Sequence, residues 1–348
     1  MRYNVTGHTI ASMPKPSVTI RDVAARAGVS HQTVSRVING AKRVSPETRK
    51  KVEQVIAELG YHPNALAREM SLGRSHTFAC LSPNITDYTL ASIIEGATNA
   101  AYRHGYYLMS ASAPDKATFA NLVDELVASR RTEGMLVINP YADGRYNHIP
   151  TNVPVVFVGA RPRVSNISSV ALDDQNAGQI ATQHLLDLGH HRIALLTGPL
   201  VEDCSQDRQI GYESALQAAG LSLDPSLILE GDWSATSGYE AVHRWLENGV
   251  SFTALFAQND RMAVGAIRAL QESGLRVPQD VSVIGFDDMP LASYFIPPLT
   301  TMRQNTLTIG IEAAQLLIQE VEHLTEMRRQ LRIAAELVVR GSTARLQP

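Results

Sequence analysis

The chain has 348 residues, 44% of them hydrophobic and 19% charged, and carries a formal charge of minus 3 at pH 7. That length exceeds one simple core and predicts two or three domains, while the absence of any apolar run near the roughly 18 residues of a bilayer span excludes a membrane protein. The opening residues lack the apolar stretch and cleavage site of a secretion signal, and Cys80 and Cys204 are too far apart for a metal or redox motif, so the expected location is the cytoplasm and no cofactor or metal is expected.

Residues 1–17, with Pro14 and Pro16, read as a loose leader. From 18 to 75 ten Lys and Arg face five Asp and Glu, whereas the 273 residues that follow carry a net of minus 10. A basic front on an acidic body points to a polyanionic partner for the front alone. Within it, TIRDVAARA (19–27) starts at a capping Thr and repeats Ile20, Val23, Ala24 and Ala27 at helical spacing before Gly28 stops it. Ser30 caps a second helix running to about Ile38, only about three residues later, which is helix-turn-helix spacing. At about 100° per residue, His31, Gln32, Ser35 and Arg36 fall on one face and Val34, Val37 and Ile38 on the other. Amphipathicity alone is what any surface helix shows; the residue types say more. Gln and Arg can read adenine and guanine edges bidentately and His more loosely, while the short hydroxyls of Thr33 and Ser35 suit phosphate oxygens. A third helix opens with Ser45 as cap, Pro46 at its first position and Glu47 in its first turn, and carries Arg49, Lys50 and Lys51.

The stretch VTIRDVAARAGVSHQTVSRVINGAKRVSPETRKKVEQVIAELGYHPNALA resembles the headpiece of the LacI/GalR family of bacterial transcriptional regulators nearly position by position. The resemblance implies a DNA-binding headpiece over 18–64, with His31, Gln32 and Arg36 toward base edges in the major groove and Thr33, Ser35 and Asn64 holding the backbone. It also implies a hinge helix and linker over 65–75, the helix running from Asn64 to about Ser71. That helix would order only on DNA and place Met70, where the family usually has Leu, as a wedge in the minor groove; Met is among the side chains that intercalate. So short a helix is not stable alone in water, so ordering coupled to binding is physically reasonable.

Beyond residue 75 short apolar runs alternate with helical stretches. Strands are predicted at 77–82, 106–112, 134–139, 154–159, 192–198, 227–231, 254–259 and 281–286, and helices around 89–104, 116–130, 175–188, 206–220, 236–248, 260–273 and 307–323. Repeated strand-helix units with fully apolar strands imply parallel sheets covered on both faces, and there are more units than one sheet needs. Ligands of such sheets bind beyond the carboxyl ends of the strands. Those ends carry Asn259 and Asp260, Asp287 and Asp288, a loop leading to Arg208, and Trp233. An Arg fork, a carboxylate and an amide can satisfy adjacent hydroxyls, and an indole suits the apolar face of a pyranose. Each residue also has a plainer reading: Asn259 or Asp287 as helix cap, Arg208 as a solvated helix residue, Trp233 as core.

GDWSATSG, QNDRMAVGAIRALQESGLRVP, VSVIGFDD and IPPLTTMRQ are similar to the core of LacI-type sugar repressors. This resemblance implies an α/β fold: the helix-turn-helix headpiece plus a periplasmic-binding-protein-like core of two doubly wound parallel-sheet lobes over 76–348, the chain crossing between them near 160–170, 290 and 300–330. It implies that Ser82, Asp87, Arg208, Trp233, Asn259, Asp287 and Gln304 hold a small saccharide effector. Gly159 stands where a sugar repressor of the family has an Asp ligand, Thr306 replaces an aromatic, Cys204 replaces a Ser, and Asp87-Tyr88-Thr89-Leu90 replaces the common Asn-Pro-Phe-Phe, so a galactoside is not implied.

No apolar heptads follow RIAAELVVRGSTARLQP, so a homodimer reading a pseudo-palindromic DNA operator is expected rather than a tetramer. The function expected is a repressor of a sugar-utilisation operon, released from its operator by a small saccharide bound between the lobes. The alternatives are a regulator of the same family using a corepressor or a non-sugar effector, and a sugar-binding transport component, against which the basic front and missing export signal argue. An enzyme is not expected: there is no phosphate loop, no GxSxG elbow and no metal-spaced His pair, His190 and His191 being adjacent and expected in solvent.

Overall fold

The computed structural model describes residues 18–41, 43–61, 74–139, 141, 144–159, 167–323 and 328–347. The chain divides into two compact units, 1–75 and 76–348.

In the first unit three helices, α1 (Ile20–Ala27), α2 (His31–Ile38) and α3 (Pro46–Leu59), enclose Val23, Ala24, Ala27, Val34, Val37, Val52 and Val55. Thr19 and Asp22 close a reciprocal capping box at the start of α1, with Thr19 N–H and hydroxyl donating to the Asp22 carboxylate at 2.8 and 2.7 Å. These bonds hold the Asp22 carboxyl below its ordinary range. Gly28 ends α1 at φ +63°, a left-handed conformation that glycine adopts without a Cβ penalty. Ser30 accepts from the Thr33 N–H at 3.1 Å to start α2. The Arg49 guanidinium donates to the carbonyls of Val37 and Ala41 at 3.4 and 2.8 Å, capping the C-terminal end of α2.

The second unit holds two six-stranded sheets. The first contains β1 (Thr77–Ser82), β2 (Tyr107–Ser112), β3 (Gly134–Ile138), β4 (Val155–Val158), β5 (Ser168–Leu172) and β11 (Gln330–Ile333), in the order β11-β5-β4-β3-β1-β2, all parallel. The second contains β6 (Ile193–Thr197), β7 (Ile228–Glu230), β8 (Ala254–Ala257), β9 (Ser282–Asp287), β10 (Thr300–Arg303) and β12 (Glu336–Val338), in the order β12-β10-β9-β8-β6-β7, parallel except for β12.

The central strands of each sheet are buried on both faces, their alternate apolar side chains pointing to opposite sides, while edge strands such as β2 stay largely exposed. In the first lobe Phe78, Cys80, Leu136 and Ile138 face α4 (Tyr88–Arg103) and α10 (Thr306–Val321), while Ala79, Leu81, Met135 and Val137 face α5 (Lys116–Ala128). In the second, Ile193, Leu195 and Phe256 meet α6 (Asp174–Asp187) and α7 (Asp203–Ala218), and Ala194, Leu196 and Leu255 meet α8 (Ala235–Glu247) and α9 (Asp260–Glu272).

The chain passes between lobes after β5, between β10 and α10, and between β11 and β12. The crossings expected near 160–170 and 290 are corrected accordingly. β4 and β5 belong to one sheet, and residue 290 starts a 3-10 turn between β9 and β10 of the other. β5, β10, β11 and β12 escaped the sequence reading because none is a continuous apolar run. β10 buries Thr300 and Thr301, whose hydroxyls bond to Thr343 and Asp260, and β11 and β12 are sheet edges. His190 is not in solvent as expected; it is buried, with its ring nitrogens 3.0 Å from the Thr253 hydroxyl and the Ala344 carbonyl, so it pins the C-terminal stretch to the second lobe.

Helices α6 and α7 pack backbone to backbone at Gly178 and Gly211. A Cβ at Gly178 would lie 2.3 Å from the Arg208 carbonyl oxygen, too close for anything but separation of the helices. Gly178→Ala therefore destabilises the core despite the better helix propensity of alanine. A propensity gain of about 1 kcal/mol is outweighed by an overpacking penalty at the upper end of about 1–3 kcal/mol. Urea denaturation of the full chain should show a lower midpoint; an unchanged or higher one would contradict this packing.

Candidate functional site

On α2 of the first unit, His31, Gln32 and Arg36 are exposed, and Thr33 and Ser35 half-buried. The Thr33 hydroxyl lies 2.9 Å from that of Ser30, and Ser35 accepts from the Asn39 amide at 3.4 Å. The helix thus turns its apolar side into the small core and offers a polar face carrying one guanidinium, one amide and one imidazole. Asn64 and Met70, with the whole predicted hinge helix, lie outside the described residues.

In the second unit a cavity of about 350 Å³ opens between the two lobes, where the strand ends of both sheets meet. Asp87, Arg208, Trp233, Asn259, Asp287 and Gln304 all line it. Ser82 does not: it is 1% exposed at the end of β1, its hydroxyl donates to the Asn84 carbonyl at 3.4 Å, and Pro83 and Asn84 form the wall instead.

Arg208 is set by the helix pair below it. The close α6–α7 approach brings its Nε to 2.8 Å from the Asp174 carboxylate, while Nη1 donates to the Gln258 carbonyl at 2.7 Å. The guanidinium lies over the Phe286 ring at 3.6 Å, and the side chain is 4% exposed, not a solvated helix residue. The remaining edge of the fork is the part available to a ligand. Asp287 accepts from the Gln304 amide at 2.5 Å, and burial holds its carboxyl well above the usual range.

Asn259 caps α9 through its oxygen, 2.8 Å from the Met262 N–H, and its NH₂ donates to the Trp233 carbonyl at 3.0 Å. It therefore fulfils the cap reading and fixes the Trp233 loop at once. The Trp233 indole lies against Gly198, where any Cβ would fall 2.1 Å from the ring. Trp233, Asp287 and Asp288 are three of the six described non-glycine residues with positive φ, at +70°, +118° and +53°. Such strained conformations cost about 1–3 kcal/mol each and persist where the surroundings over-determine them. Asp288, behind the wall, is held by Arg303 at 2.7 Å and Arg340 at 2.6 Å.

Asp87, expected in the site, caps α4 and also reaches across the cavity mouth to Arg261 at 2.9 Å, joining the lobes. Arg261 and several other lining residues were not singled out from the sequence. Tyr141 and Glu202 form an antiparallel backbone bridge, also from lobe to lobe. Burial raises the Glu202 carboxyl, opposed by its hydrogen bond with the Trp233 side chain and by Arg208. Asp174 follows β5, a strand absent from the sequence reading, so the strand-end rule had nothing to attach to. Arg261 lies one residue beyond Asp260, where helical phase alone does not say which way it points.

Behind the cavity floor Asp260 is fully buried, accepting from the Thr301 hydroxyl at 2.6 Å and the Met289 N–H at 2.8 Å. Burial raises its carboxyl to about 7. A folded value above the unfolded one means that Asp260 contributes stability below about pH 4 and loses it as pH rises through about 7. Denaturation of wild type and Asp260→Asn side by side should show the wild type losing ground to the variant by a few kcal/mol between about pH 4 and pH 8. A pH-independent difference would contradict the buried, proton-holding carboxyl.

A polar-faced helix-turn-helix unit followed by a two-lobed α/β core with a ligand-sized cavity between the strand ends defines a DNA-binding regulator with an effector-binding core. Residues 19–64 match the family described as "Bacterial regulatory proteins, lacI family", and residues 182–343 match the "Periplasmic binding protein-like domain". The chain is 35% identical over 332 residues to the HTH-type transcriptional repressor PurR of Haemophilus influenzae (strain PittEE), covering 93% of this chain and 98% of that protein. Among solved structures it is similar to the lac repressor dimer bound to operator and the anti-inducer ONPF, with TM-score 0.86, 33% identity, and 94% and 99% of the two chains covered. It is also similar to a transcriptional regulator CelR–cellobiose complex, with TM-score 0.73, 34% identity, and 93% and 99% covered. The chain belongs to the LacI family of bacterial transcriptional repressors. A regulator rather than an enzyme was expected, and that membership agrees. Among the described residues no helix is long and apolar enough to cross a membrane.

Proposed function

We propose that the chain is a cytoplasmic, homodimeric repressor of a sugar-utilisation operon that a small saccharide releases from a pseudo-palindromic operator. The observation that carries this reading is the cavity between the lobes: Arg208, Asp287 and Gln304 set a fork, a carboxylate and an amide around the Trp233 indole, with Tyr88 also in the wall. That is a donor-acceptor set for adjacent hydroxyls beside ring faces suited to the C–H side of a pyranose. The similar cellobiose complex supports the ligand class, and the similar operator-bound lac repressor dimer supports the DNA and the two-fold assembly.

In the headpiece His31, Gln32 and Arg36 read base edges, Thr33, Ser35 and Asn64 hold the phosphate backbone, and Met70 wedges into the minor groove. A ligand shifts the operator equilibrium only by its differential affinity for the free and DNA-bound states, and coupling of roughly 1–3 kcal/mol corresponds to roughly 5–150-fold. The test is a gel-shift titration of an operator selected from random duplexes, against a panel of mono- and disaccharides. At least one sugar should weaken binding by such a factor. If no sugar changes operator affinity, the induction reading falls, and a sugar that tightens binding makes the ligand a corepressor.

A further inference from the structure

Glu202 stands at the N-cap position of α7, where Ser, Thr, Asp or Asn usually accepts from the first helical N–H groups, yet its side chain makes no capping bond. The longer side chain reaches past the helix end instead, and its carboxyl accepts from the Trp233 indole N–H. The loop that carries it is fixed in the second lobe. The Leu200 N–H donates to the Glu230 carboxylate at 2.9 Å, the Gln206 amide to the Leu200 carbonyl at 2.7 Å, and the Glu202 N–H to the Pro199 carbonyl at 3.0 Å. The same residue makes the backbone bridge to Tyr141 of the first lobe. Other restraints on Trp233 act elsewhere: Asn259 holds its carbonyl, and Gly198 leaves room for one face of the ring. Neither engages the indole N–H, the ring's single donor, whose bond fixes rotation of the ring about its link to Cβ.

We infer that Glu202 is a positioning residue for the effector, setting the tilt of the Trp233 indole in the cavity wall from the loop that joins the lobes. The inference rests on the saccharide reading above and adds the residue that presents its ring face. A ring held by its N–H meets a sugar already oriented, so the ordering cost of that side chain does not fall on binding. Burial that raises the Glu202 carboxyl leaves the contact intact, because an ionised and a protonated carboxyl both keep an accepting oxygen.

The experiment is acrylamide quenching of tryptophan fluorescence, with calorimetric titration of a panel of mono- and disaccharides, on full-length wild type, Glu202→Ala and Glu202→Gln. Trp233 and Trp245 are the two tryptophans of the chain, and Trp245 is 1% exposed, so the quencher reads Trp233. In ligand-free Glu202→Ala the quenching constant should rise. Its sugar affinity should fall at least about threefold, within the roughly 2- to 12-fold that ordering one side chain costs. Glu202→Gln keeps an accepting oxygen in the same place and should match wild type in both readouts, which carries the test even where the alanine variant folds poorly. Unchanged quenching in Glu202→Ala overturns the positioning role, and an affinity loss beside it makes Glu202 a direct sugar contact instead. Glu202→Gln departing from wild type in both readouts overturns it as well. If no sugar of the panel binds wild type, the saccharide reading falls, while quenching of the ligand-free proteins still decides whether Glu202 sets the ring.

Discussion

Arg208→Ala is expected to abolish the response to effector and to destabilise the core. The substitution removes the buried fork facing the cavity and strands Asp174, whose side chain is 9% exposed, without its partner. Removing one member of such a buried pair costs about 3–5 kcal/mol because the other charge stays buried and unpaired. A second variant separates the two effects. Replacing Arg208 and Asp174 together by Leu removes both charges and should restore much of the stability without restoring ligand binding. Denaturation midpoints and sugar titrations on both proteins check this. Effector affinity within about threefold of wild type in either variant would show that Arg208 supports the fold and not the ligand.

Arg36→Ala and Lys50→Ala are expected to fail in different ways. Arg36 is exposed on the polar face of α2, where a bidentate contact to guanine discriminates by about 1–3 kcal/mol per base pair, so its loss should relax preference at one position of each half-site and affect random DNA little. Lys50, exposed on α3, has only a point charge to offer, so its loss should lower affinity for every sequence and reduce the salt slope by about 1 per headpiece. Competition binding against selected and scrambled duplexes over a range of salt concentrations reads both. Equal losses on selected and scrambled DNA from Arg36→Ala would refute its base-reading role. Arg49, one residue before Lys50, is not a third case. Its guanidinium closes α2, so Arg49→Ala should show first as a loss of headpiece stability.

The headpiece was legible because short-range chemistry decides it: Thr19, Ser30 and Ser45 are caps, Gly28 is a left-handed exit, and the apolar phase of α2 separates Val34 and Val37 from Arg36. In the core, strands with continuous apolar runs were found, and those whose burial depends on partners elsewhere in the sequence were not. Thr300 and Thr301 look exposed in one dimension and are fully buried in three, because Thr343 and Asp260 supply their hydrogen bonds. The site divides the same way. Strand-end polarity and motif likeness led to Asp287, Asn259 and Arg208. The residues that close the cavity, Arg261 against Asp87 and Glu202 against Tyr141, are joined only by the meeting of two lobes that local pattern does not encode. Ser82 marks the limit in the other direction: the family resemblance suggested a ligand, and the hydroxyl donates instead to the Asn84 carbonyl.

The most direct test of the account is thermodynamic reciprocity between the two units. If a saccharide in the inter-lobe cavity releases the headpiece, the factor by which saturating sugar weakens operator binding must equal the factor by which saturating operator weakens sugar binding. Measured on one preparation, both factors should agree within error and fall in the range of roughly 5–150. Sugar affinity that is the same with and without operator DNA would contradict the account, however tightly either ligand binds alone.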